Sequence, residues 1–218
     1  MSSPLQQTDR TTMSRHDERG SYDRQLAYAI LDEALVAHVG LATAHGVAVM
    51  PMTYARRGDD LVLHGAVASR WLSATEEGQP ISVCVTLLDG LVLARSAFSH
   101  SMNYRSVIAF GQAHVVTNAA EKVAAFRALV EHLVPGRWDD CRQPDRKEIS
   151  ATTVLSMRLG EASVKVRSGP PKDAKRDDYA PYWAGVIPLA LTAGDAVADP
   201  ALRDGLPVPA YAVGYSRR

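Results

Sequence analysis

Apolar residues in this chain come in short runs broken by turn residues. After a polar, turn-rich start, the stretch DRQLAYAILDEA (23–34) sets Leu26, Ile30 and Ala34 on one stripe and predicts a short helix. The runs LVAHVGLAT (35–43), VAVMPMTYA (47–55) and LVLHG (61–65) follow, with Ala44-His45-Gly46 and Arg57-Gly58-Asp59-Asp60 between them. Short glycine-marked links between apolar runs predict an antiparallel meander. Pro51 cannot donate to a ladder, which puts that position at an edge or a bulge. SRWLSATEEG (69–78) reads as a short helix with Ser69 as its cap and Gly78 and Pro80 closing it. ISVCVTLL (81–88) and LVLARSAF (91–98) read as strands with Asp89-Gly90 as the turn between them. SVIAFGQAHVV (106–116) reads as a long strand with Gly111 as a bulge. The clearest helix is NAAEKVAAFRALVEHL (118–133), capped by Asn118, with Glu121 placed to reach back to the cap. Phe126, Leu129, Val130 and Leu133 share one of its faces, and Pro135-Gly136 ends it. A charged loop leads to a strand pair, TTVLSMRL (152–159) and EASVKVR (161–167).

Six or seven short strands with about two or three inserted helices predict an antiparallel barrel or sandwich, mainly β with α, not a doubly wound parallel sheet. Residues 1–22 are expected to form a flexible segment, 23–170 the folded domain, and 171–218 an extension packing on the barrel or on a partner. That extension holds one apolar island, YWAGVIPLAL (182–191).

Composition narrows the function classes. The 218 residues are 46% hydrophobic and 22% charged, enough to build a core, and 24 Lys and Arg balance 24 Asp and Glu. No net charge draws the chain to nucleic acid or an anionic membrane. With two cysteines, no secretory leader pattern and no run long enough to span a bilayer, a cytoplasmic protein is expected. The histidines show no metal-ligand spacing, and neither a GxGxxG nor a Walker-type loop is present.

One stretch carries candidate chemistry. In LVLHGAVASRWL (61–72), His64 ends a strand, and Ser69 and Arg70 open a helix. A hydroxyl, a guanidinium and free amides at a helix start are what a phosphate monoester needs. Taken alone, the stretch fits the bland reading better: a cap, a solvated charge and a satisfied edge histidine.

The stretch resembles the phosphate-gripping segment of FMN-binding split-barrel proteins of the pyridoxamine 5'-phosphate oxidase type. VAVMPMTY (47–54) resembles the family strand whose backbone lies along the flavin ring. Residues 81–116, in which Tyr104-Arg105-Ser106-Val107 runs into Phe110-Gly111-Gln112-Ala113, resemble the nitroimidazole-resistance-like branch. EKVAAFRALVEHLVPGRW (121–138) and ASVKVRSGPPKD (162–173) fit that branch too, so the resemblance covers residue 23 to about 190. It implies a six-stranded antiparallel split β-barrel with flanking helices, which dimerises and holds FMN in a groove shared by two subunits. The phosphate would rest against Ser69 and Arg70. The ring would lie along Met50, Pro51, Met52 and Thr53, with His64 facing the groove.

One departure stands out. Trp71 occupies the place where the oxidase branch has a phosphate-gripping lysine, so the site loses a cation and gains a flat apolar surface. Charge could come instead from Arg105, Arg95 or Lys165. The basic and tyrosine residues with which the oxidases hold pyridoxal phosphate are missing, which argues against vitamin oxidation. His100, Tyr104, Arg105 and Ser106, in SHSMNYRS (99–106), would line the flavin or substrate pocket, or else form a solvated loop. Arg105 and Lys165 are candidates to stabilise the anionic reduced flavin. The expectation is a homodimeric FMN-dependent oxidoreductase acting on a small organic molecule or a nicotinamide donor. The alternatives are a flavin-binding or storage protein without turnover, and a binder of haem or a deazaflavin.

Overall fold

The architecture comes from a computed structural model, which describes residues 3–43, 45–69, 72, 75 and 77–217. The strands among them are β1 (Gly20–Ser21), β2 (Val36–Thr43), β3 (Gly46–Arg57), β4 (Asp60–Ala66), β5 (Gln79–Leu93), β6 (Ser101–Val115), β7 (Thr152–Arg158), β8 (Glu161–Arg167) and β9 (Gly185–Pro188). The helices are α1 (Arg24–Glu33), α2 (Ala119–Leu133) and α3 (Arg146–Ser150). All strand-to-strand pairings are antiparallel, and β6–β7–β4–β3–β2–β5 closes on β6 as a ring of six. The split lies in β6: its residues Tyr104–Phe110 pair with β8, whereas His114 and Val115 pair with β7. The chain therefore folds as the expected antiparallel split barrel.

Alternation explains which side chains fill the ring. Val39, Val83, Ala109 and Ala162 are mutual register partners across β2, β5, β6 and β8, and all are buried. Leu61, Leu63, Leu155 and Met157 fill the other side, each fully buried and stabilising by about 1.5–3 kcal/mol. Helix α1 lays Ala27, Ile30 and Leu31 on this core and is capped by Asp23, which accepts from Gln25 N–H (2.7 Å). Tyr54 is fully buried, and its hydroxyl donates to Leu31 O (2.5 Å). Helix α2, capped by Asn118, packs Ala125 and Leu129 on Ala55, Val62 and Val154. No bond from Glu121 back to that cap forms among the described residues. The reciprocal box occurs in α3, where Asp145 and Glu148 serve each other in the stretch the sequence presents as a charged loop.

Two local expectations are corrected. Asp89-Gly90 is no turn: β5 runs through it, and the register slips between Leu88 and Gly90 as a bulge. Gly111 is no bulge: it pairs in register with Ile81, and a Cβ there would sit 2.6 Å from Met157 Cγ. Glycine is needed because methionine covers it. Pro51 lies on the half of β3 that has a single neighbour, the edge setting in which a proline is tolerated.

The segment expected to be flexible has contacts of its own. Leu5 is buried, Gln6 bridges to Glu161, and Glu161 accepts from Thr8 and Arg10. The C-terminal stretch adds β9 to the edge of β5 and returns to the helices, where Arg217 donates to Glu33 O (2.7 Å) and to His132 O. No helix among the described residues is long and apolar enough to cross a membrane.

Candidate functional site

β3 and β4 are paired from Arg57↔Asp60 as far as Tyr54↔Leu63, and there they part. Beyond that point β4 continues against β7 only, with His64 opposite Val154, while β3 continues against β2 only. Met50, Pro51, Met52 and Thr53 thus face His64, Gly65 and Ala66 across a gap instead of through ladder bonds. The gap is a cavity of about 300 Å³, lined also by Ser69 and Leu72. Ser69 is held there by a turn, its N–H donating to Ala66 O (2.8 Å).

The lining is amphipathic. Met50 and Met52 supply soft apolar surface, and Thr53 and Ser69 supply hydroxyls. His64 supplies an imidazole whose Nδ1 is buried and has no hydrogen-bond partner among the described residues. Burial alone pushes the His64 pKa down from the ordinary histidine value. At neutral pH the ring therefore offers a neutral hydrogen-bonding atom rather than a positive charge.

Gly65 has a steric reason. A Cβ on it would lie 2.3 Å from Leu72 Cδ1, and Leu72 is itself buried in the core. Gly65, Ala66 and Leu72 escaped the sequence reading, although a glycine ending a strand before a run of small residues signals a close approach of backbone.

The structure thus brings Met50, Pro51, Met52, Thr53, His64 and Ser69 together on one cavity. Arg70 and Trp71 lie outside the described residues, as does half of the helix expected over 69–78. The second group of candidates lies on β6 and just before it, and none of them lines this cavity. Tyr104 is half-buried and sits opposite Arg167 of β8. Ser106 Oγ donates to Lys165 O (3.3 Å), and His100 Nδ1 lies 2.9 Å from Ser96 O.

Arg105 is no free cation. Its guanidinium donates to both oxygens of Glu33 (2.5 and 2.8 Å) and both of Asp89 (3.0 and 2.8 Å). Those bonds push its pKa further up and spend its charge on two carboxylates. Asp89 lies at the β5 bulge, between Leu88 and Gly90. Arg95 is likewise engaged, by the carboxylate of Asp173 (3.3 Å). Neither arginine is left to replace the lysine missing at Trp71.

The cavity's rim continues into an exposed apolar face. Val47 and Val49 of β3, Val36 of β2 and Ile108 of β6 are all exposed. His38 stands on the same face, in register with Pro51 on one side and Cys84 on the other.

Comparison with known proteins agrees with this fold. The family model described as pyridoxamine 5'-phosphate oxidase matches residues 23–166. The chain is similar to the flavocytochrome Anf3 from Azotobacter vinelandii, at 40% identity over 94% of this chain and 95% of that one, with a TM-score of 0.88. It is also similar to the FAD and heme binding protein from Mycobacterium smegmatis, at 37% identity over 90% of this chain and 98% of that one, with a TM-score of 0.85. A proposed 5-nitroimidazole antibiotic resistance protein from Bacteroides thetaiotaomicron shares the fold at 22% identity, with a TM-score of 0.54 over 67% of this chain and 86% of that one. No curated protein matches the chain. A six-strand ring split at β6, and the family's sequence pattern over most of its length, give the conclusion: this chain belongs to the pyridoxamine 5'-phosphate oxidase family.

Proposed function

We propose that this chain is a flavin-binding oxidoreductase whose isoalloxazine ring lies in the gap between β3 and β4. The observation that carries this reading is the gap itself. It is flanked by strand edges released from pairing and lined by His64, whose Nδ1 has no hydrogen-bond partner among the described residues. A flat heteroaromatic ring edged with carbonyl and N–H groups satisfies such edges, and the two methionines supply its apolar contact. The family and the two similar proteins, one a flavocytochrome and one an FAD and heme binding protein, support the same reading.

When bound, the flavin supplies the hydride or electron transfer, and the protein holds, orients and shields it. His64 gives a neutral hydrogen bond. Ser69 and Arg70 hold the phosphate, as the family resemblance implies. The expected cofactor is FMN; the FAD named for the Mycobacterium smegmatis protein is the alternative. The exposed apolar face around Val36, Val49 and Ile108 is the surface on which a homodimer closes over the site.

The test is an absorbance spectrum of the purified protein with mass analysis of the ligand it releases. A flavin spectrum bleached anaerobically by a nicotinamide donor supports the reading, and the mass separates FMN from FAD. Protein that never takes up flavin overturns it.

A second reading, haem alongside flavin, is favoured by the same two similar proteins and by His38, an exposed imidazole flanked in register by Pro51 and Cys84. A Soret band that His38→Ala removes would support it.

A further inference from the structure

At the far end of β8, Arg167 is 6% exposed. Its Nη1 donates to Asn103 Oδ1 and to Gly169 O (3.1 Å), and its Nη2 donates to Pro170 O (3.0 Å). Every one of these acceptors is neutral. Nε and the second Nη2 proton have no acceptor among the described residues. Gly169, at φ +98°, lets the loop fold its carbonyls back onto the guanidinium, yet the loop brings no carboxylate with it. A buried charge is ordinarily paired, because leaving it alone in a low dielectric is costly.

The surroundings add positive charge rather than removing it. Arg167, Arg19, Lys172 and Ser168 line one cavity of about 190 Å³, whose walls also include Val166 and Glu18. Burial, and after it the nearby charge of Arg19, pushes the Arg167 pKa down. Glu18 is shared between His16 (3.2 Å) and Arg19 (3.5 Å). The next acid along the loop, Asp173, is turned away. It accepts from the backbone N–H groups of Arg95 (3.0 Å) and Ser96 (3.3 Å) and from the Arg95 side chain. Three cations therefore face one carboxylate around an opening with a hydroxyl at its lip.

We propose that Arg19, Arg167, Ser168 and Lys172 form a binding site for a phosphoryl oxyanion, distinct within the chain from the cavity between β3 and β4. A guanidinium with two N–H groups to spare suits such an anion, and the flanking cations raise its local concentration. Two sources share this chemistry: free phosphate, and the phosphate arm of a nucleotide substrate.

The test is the thermal midpoint of the full chain in inorganic phosphate and in chloride at equal ionic strength. The same comparison is made with a nicotinamide dinucleotide phosphate against the dinucleotide lacking that phosphate. A midpoint raised by phosphate, with an apparent affinity falling about 10-fold or more in Arg19→Gln and Lys172→Gln, establishes the site. Lys172 is exposed and Arg19 half-buried, and neither belongs to the apolar core, so the fold survives their replacement. Protection by the phosphorylated dinucleotide alone, lost in the same two variants, assigns the site to a substrate's phosphate. Wild-type protein protected by neither probe overturns the proposal, and so does protection that both variants retain. Repeating the comparison on flavin-loaded and flavin-free protein separates a failure here from a failure of the flavin reading.

Discussion

Replacing His64 by leucine should make the ligand-free protein more stable and the flavin complex weaker. Nδ1 of this ring is buried and unpartnered among the described residues. A buried polar atom left unsatisfied costs about 1–3 kcal/mol. Leucine has a similar size and no polar atom, so it removes that cost while still filling the wall beside Gly65 and Ala66. The ring is only half-buried, so the gain belongs at the low end, about 1 kcal/mol. In the complex the sign reverses. The variant lacks the hydrogen bond that the ligand would complete, which is worth about 0.5–1.5 kcal/mol, or roughly 2- to 10-fold in affinity. Urea denaturation of flavin-free protein measures the first quantity, and flavin titration measures the second. A slope of about 2 kcal/mol per molar urea puts the midpoint rise near 0.5 M. If His64→Leu lowered the midpoint and left flavin affinity unchanged, Nδ1 would have a partner within the protein, and the argument from the gap would fail.

Other positions give independent tests. Gly65→Ala forces a methyl to 2.3 Å from Leu72 Cδ1, and overpacking of this kind costs about 1–3 kcal/mol in urea denaturation. The double variant with Leu72→Ala should be less destabilised than the sum of the two single changes. Gly111→Ala meets Met157 Cγ at 2.6 Å and should cost a similar amount without touching flavin affinity. His132, whose Nε2 lies 2.8 Å from Ala34 O, has its pKa pushed down, first by burial. The unfolded chain therefore takes up a proton before the native one does, and stability falls as pH drops below about 6.5, until the native His132 titrates. His132→Gln, compared by urea midpoints at pH 7.5 and 5.5, should show a shallower fall than the wild type.

Legibility followed the physics of each element. α1 and α2 could be placed almost to the residue because their apolar stripes coincide with Asp23 and Asn118, caps that make local bonds. The meander from β2 to β4 was readable from glycine-marked turns, since Gly46 and Gly58 both carry positive φ. Asp89-Gly90 misled because a turn dipeptide and a bulge share chemistry. Only the tertiary pull of Arg105 on Asp89, and of β9 on the strand edge, decides between them. For the site, Met50 to Thr53 and His64 were legible through resemblance and through the anomaly of Pro51. The parting of β3 from β4 is a property of the register, which no local pattern announces. The engagement of Arg105 with Glu33 was equally invisible, because 72 residues separate the partners along the chain.

The measurement that bears most directly on this account is a crystal structure of the protein grown with FMN. The isoalloxazine is expected between β3 and β4, against Met50 to Thr53, with a polar atom of the ring or its chain within hydrogen-bond distance of His64 Nδ1. A flavin bound elsewhere, with the gap closed by the protein's own side chains, would contradict it.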